Sequence, residues 1–107
     1  MRRLQLSLSA RGGRILGSRT AAFPLRDEIE KYLDAGGRVE IDFFDTEPTQ
    51  AFIDELIGVL VMERGKAVLS RLVLSHCSPT VKALIHLVVS DRLDHYLARS
   101  LNVEDVY

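Results

Sequence analysis

Residues 39–58, VEIDFFDTEPTQAFIDELIG, restrict the chain to a narrow set of folds. Val39, Ile41 and Phe43 alternate with Glu40 and Asp42, the period-two signature of a strand with a buried face. The alternation breaks at Asp45, Thr46, Glu47 and Pro48, and an apolar pattern of helical period follows. Phe52, Leu56 and Leu60 fall on one helical face, with Ile53 and Ile57 beside them. Thr46 or Thr49 can cap this helix, because a hydroxyl accepts from the unpaired N–H groups of a first turn. A strand that runs through a polar turn into a helix N-terminus is where α/β proteins carry functional groups.

The flanking sequence repeats the theme. Leu4, Leu6 and Leu8 alternate with polar residues and predict a half-exposed strand at or next to a sheet edge. Gly12 and Gly13 suit a turn and Ile15 and Leu16 a short returning strand, so residues 2–16 form an N-terminal strand or hairpin. Leu25, Ile29 and Leu33 predict a helix over residues 23–35, stopped by Gly36 and Gly37. A second helix spans residues 49–64 and ends at Gly65. Its residues 56–62 are apolar except for Gly58, so it is either buried on more than one side or offers an apolar surface to a partner. The apolar run in residues 66–75 fits a central parallel strand. Ser78 and Pro79 open a third helix reaching about residue 100, and residues 101–107 form a tail. Alternating strands and helices in 107 residues predict one α/β domain with parallel neighbours.

Composition excludes several classes. With 47% hydrophobic residues and a net charge of -1, the chain can build a core and is not basic as a whole. The single cysteine, Cys77, rules out an intrachain disulfide. The N-terminus lacks the apolar core of a signal peptide and no apolar run approaches a membrane span, so a soluble cytoplasmic protein is expected. Glycine motifs for nucleotides, the nucleophile-elbow motif and zinc-ligand spacings are missing, so no enzyme, metal site or cofactor is predicted.

Five carboxylates, Asp42, Asp45, Glu47, Asp54 and Glu55, lack the spacing of a calcium loop and read as an acidic rim suited to a basic partner. His76 and Cys77 are adjacent and so point apart, which argues against a nucleophile–base pair. His86 and His95 lie too far apart on one helix to share a ligand and read as surface or boundary residues. Arg2, Arg3, Arg11, Arg14, Arg19 and Arg26 precede the first acid, Asp27. This polarity supports an alternative function as a small nucleic-acid or anion-binding accessory protein, with Arg14 and Arg19 as candidate ligands.

Gly17, Ser18 and Arg19, Leu25 and Arg26, VEIDF at residues 39–43 and TQAFIDELIG at residues 49–58 together resemble the STAS-like domains, small bacterial modules similar to anti-sigma factor antagonists. The resemblance spans residues 4–93. It implies a single domain with about four strands in a mixed sheet, central strands parallel, and helices mainly on one face. It also implies a non-enzymatic regulatory role: docking onto a kinase-type ATPase or another signalling protein. In the antagonists, a serine in the turn after the corresponding strand is phosphorylated by the partner. Here Gln50 falls near that position, which leaves Thr49, and then Thr46, as the hydroxyls available for phosphorylation. The docking surface implied is the turn, through Asp45, Glu47 and Gln50, with Ile53, Ile57 and Val61 on the outer face of the second helix.

Overall fold

The structure, a computed structural model, describes residues 3–101. The expected tail therefore lies outside the described residues, apart from Leu101 at the end of the last helix. Three parallel strands, β1 (Arg3–Ser7), β3 (Arg38–Asp42) and β5 (Leu72–Ser75), form one sheet in the order β1-β3-β5. Leu4 pairs with Val39 and Val39 with Leu72; Leu6 pairs with Ile41 and Ile41 with Leu74. These six side chains share one face and enter the core. Gln5, Ser7, Glu40, Asp42, Val73 and Ser75 fill the other face, where each is exposed or half-buried.

Helix α2 (Arg19–Asp34) crosses from β1 to β3, capped by Ser18, whose hydroxyl accepts from the Ala21 N–H at 3.1 Å. The return from β3 to β5 is a continuous rod over residues 50–64: α3 (Gln50–Ile53), a π turn (Asp54–Gly58) and α4 (Val59–Arg64). Two crossovers of the same hand that step in one direction put their helices on one face. Helix α5 (Pro79–Leu101), opened by Ser78 as its sequence predicts, packs along the other side of the rod. The rod thus lies between α2 and α5 over the sheet. Phe52, Ile53, Leu56, Ile57, Leu60 and Val61 are all fully buried.

Gly58 makes this packing possible. A Cβ there would stand 2.8 Å from Val88 Cγ1 of α5 and would strike the Asp54 carboxylate. Gly65, at φ +78°, turns the chain out of α4 beneath the Tyr96 ring.

Four expectations need correction. The described pairings are all parallel, in a three-stranded sheet plus a two-residue pair, where a mixed sheet of about four strands was expected. Of the strand or hairpin expected over residues 2–16, the described residues show the strand, and Ile15 and Leu16 do not return to it. Ser7 caps a five-residue helix α1 (Leu8–Gly12), and β2 (Ile15–Leu16) then pairs in parallel with β4 (Glu47–Pro48). The expected strand at residues 66–75 begins as a 3₁₀ segment (Lys66–Arg71), and strand geometry starts only at Leu72. Its buried positions, Val68 and Leu72, are four apart, a spacing that a helix face and a strand face share, so the near-continuous apolar run does not separate the two. Arg71 fixes this segment by donating to the carbonyls of Leu33 and Gly37 at 2.6 Å. Finally, β5 is an edge strand and β3 the central one.

Candidate functional site

The turn after β3 is built from its own side chains. Phe43 points into the core, so Phe44 must point out, and it is 64% exposed. The Asp42 carboxylate accepts from the Phe44 N–H at 2.9 Å, and the Thr46 hydroxyl donates to the Phe43 carbonyl at 2.7 Å. Between them Asp45 adopts φ +52°. The chain is then fastened to β2: the Glu47 N–H donates to the Arg14 carbonyl at 2.8 Å and the Thr49 N–H to the Leu16 carbonyl at 2.9 Å. Thr49 caps α3 by accepting from the Phe52 N–H, and its own hydroxyl donates to the Gly17 carbonyl at 3.1 Å. Asp45, Glu47 and Gln50 are exposed along this braced turn. Ile15, the register partner of Glu47, is 67% exposed. Thr49→Ala should cost about 1 kcal/mol through loss of the cap, read as a lower denaturant midpoint with unchanged slope. Thr49→Ser should keep most of it.

The structure separates the expected docking residues. Ile53, Ile57 and Val61 have no outer face to occupy: they are completely buried, because the rod is covered by α2, α5 and the sheet. Of the two alternatives the apolar rod left open, burial on several sides is the one realised. Thr46 is also buried and its hydroxyl is committed to Phe43, so a kinase reaches it only if the turn opens. Thr49 is exposed.

The arginine-rich beginning of the sequence is dispersed in space. Arg3 meets Glu40 at 2.8 Å, Arg11 meets Glu28 at 2.6 Å, and Arg26 pairs with Glu55. Arg14 lies 3.6 Å from Glu47 and 3.8 Å from Asp45. Arg19 reaches the π turn, not the turn after Phe43, contacting Asp54 at 2.7 Å and Glu55 at 3.7 Å. Every described arginine before Asp27 therefore has a carboxylate partner. Arg2 lies outside the described residues.

Asp54 is the centre of this charge network. Arg92 of α5 grips both its oxygens, at 2.6 and 2.7 Å, and Arg19 of α2 adds a third contact. The Arg92 hydrogen bonds, then the Arg19 hydrogen bond and both positive charges, hold the Asp54 carboxyl below its ordinary range despite opposing burial. Burial pushes the Cys77 thiol up, which opposes thiolate chemistry there. Among the described residues, no three of His, Cys, Asp and Glu converge on a position that could hold a metal ion.

Two features of the site escaped the sequence. One is the exposed pair Ile15 and Phe44; for Phe44, the break in alternation at residues 43–44 was the available signal. The other is a contact between His76 Nδ1 and Asp42 Oδ1 at 2.9 Å, which joins residues 34 positions apart.

A family model described as a STAS-like domain of unknown function matches residues 21–82, from the first turn of α2 to the first turn of α5. No curated protein and no solved structure matches the chain. The chain belongs to the STAS-like domain family.

Proposed function

Starting from that family membership, we propose that the chain is a non-enzymatic regulatory module that docks onto a kinase-type ATPase or another signalling protein through the turn after β3. The observation that carries this reading is the pairing of two large exposed apolar side chains, Ile15 and Phe44, with a turn held rigid by backbone bonds to β2. An aromatic anchor beside a polar rim is the usual composition of a protein–protein hot spot, and a braced turn loses little entropy on binding. Asp45, Glu47 and Gln50 supply the rim. Thr49 is the residue at which phosphorylation would have the most direct effect. It would remove the hydroxyl proton donated to Gly17 and add charge beside Asp45 and Glu47. No helix among the described residues is long and apolar enough to cross a membrane.

A photo-crosslinking residue at Gln50, compared with one at exposed Lys31 on α2, tests the reading in cells. A partner captured from Gln50 and not from Lys31, and lost on Phe44→Ala, is the expected result. Phe44→Ala should weaken binding of that purified partner by about 2 kcal/mol, roughly thirtyfold. Identical products from the two positions would refute docking at the turn.

A further inference from the structure

We propose that His76 is a phosphoryl acceptor, taking a phosphoryl group on Nε2 from a phosphoanhydride or phosphoramidate donor. His76 follows the carboxyl end of β5, next to the end of β3, and sits at φ +53°, a backbone state unfavourable for a residue with a Cβ. The structure holds it there with two contacts. Its Nδ1 lies 2.9 Å from Asp42 Oδ1, and the Phe44 ring meets the imidazole edge-on, with centroids 6.0 Å apart and planes at 79°. Asp42 receives the Phe44 N–H as well, which with His76 keeps its carboxyl ionised and able only to accept. An ionised carboxylate can only accept, so Nδ1 carries the proton of this contact and Nε2 is the ring nitrogen left for a lone pair to react from. No hydrogen bond among the described residues reaches Nε2, and 63% of the side chain is in solvent.

A carboxylate behind one ring nitrogen fixes the tautomer and the direction of the other, and faces the positive charge the ring gains when that nitrogen forms a bond. Neither of the other two histidines has a carboxylate within hydrogen-bond distance of a ring nitrogen among the described residues. His95 Nδ1 bonds to the Asp91 carbonyl within its own helix, with the Asp91 carboxylate 3.8 Å away, and His86 has no hydrogen bond or ion pair among the described residues. The nearby acids are already engaged: Glu40 with Arg3 and Ser75, and Asp45 with Arg14. In the transfer, the Nε2 lone pair forms the N–P bond as the donor's bond to phosphorus breaks. The leaving group keeps the bonding electrons, and the ring retains its Nδ1 proton, its positive charge facing Asp42. Phe44 links this residue to the docking turn. That a kinase-type partner supplies the donor rests on the docking reading; the chemistry of His76 does not.

The test uses the full chain and potassium phosphoramidate, which needs no partner. Ammonia leaves with a proton from water. Phosphate on each histidine is followed by mass spectrometry at neutral pH and by phosphorus NMR. His76 should be modified on Nε2 about tenfold faster than His86 and His95, and Asp42→Asn should remove that advantage. The rates at His86 and His95 should stay unchanged, and the circular dichroism spectrum and urea midpoint of Asp42→Asn should show that the variant is folded. Equal rates at the three histidines, modification on Nδ1, or no effect of Asp42→Asn on His76 would overturn the proposal. Loss of partner capture at Gln50 with intact His76 kinetics would count against docking alone.

Discussion

Ile53→Asp should leave no folded protein at 25 °C, whereas Phe44→Asp should fold with a stability within about 0.5 kcal/mol of the parent. Ile53 is completely buried in the rod between α2 and α5. Its replacement removes a packed aliphatic side chain, worth about 2–5 kcal/mol. It also inserts a carboxylate with no partner, which adds several kcal/mol or forces protonation. The sum approaches the roughly 5–15 kcal/mol that holds a typical domain together. Phe44 has 64% of its surface in water, so a charge there displaces little packing. Circular dichroism and a urea titration of both variants decide the matter. A folded Ile53→Asp protein would mean that the rod has a free face and that docking along the helix must be reconsidered.

Asp54→Ala is expected to destabilise the fold by about 3 kcal/mol. This carboxylate joins α2 to α5 across the π turn, and its removal leaves Arg92, half-buried, without the partner that grips it. Asp54→Asn should cost less, because it keeps a hydrogen-bonding shape and loses the charge. A double-mutant cycle with Arg92→Ala should give a coupling of about 1–3 kcal/mol. The pH dependence has a definite sign. Since the folded state holds the Asp54 carboxyl below its ordinary value of 3.8, its contribution is present above that value and is lost as pH falls through the folded one. The acid limb of the stability curve should therefore be shallower in Asp54→Asn than in the parent, and unchanged above about pH 5. Parallel acid limbs would show that the network contributes nothing.

The elements with clear periodicity were legible in the sequence. A threonine cap, which the sequence left between Thr46 and Thr49 and the fold places at Thr49, Gly65 as helix stop and the Ser78–Pro79 start each follow from local chemistry that tertiary packing did not override. The 3₁₀ segment was not legible, since a short, mostly apolar run carries no period long enough to separate strand from helix. The two-residue pairing of β2 with β4 was equally hidden, because its partners lie 32 positions apart and depend on where the helices place them. At the site, the sequence located the turn and misassigned its surface. Ile53, Ile57 and Val61 follow a helical repeat that reads the same whether the face meets a partner or its own fold. The separation of arginines from acids along the chain carried no information about their separation in space, where the described ones pair.

The most direct test of the turn as the docking surface is amide hydrogen exchange of the chain with and without the partner captured through Gln50. Binding should slow exchange in residues 44–51 and at Ile15, and leave the free face of the sheet, residues 3–7 and 72–75, unchanged. Protection concentrated on the sheet face, with residues 44–51 exchanging as in the free chain, would contradict it.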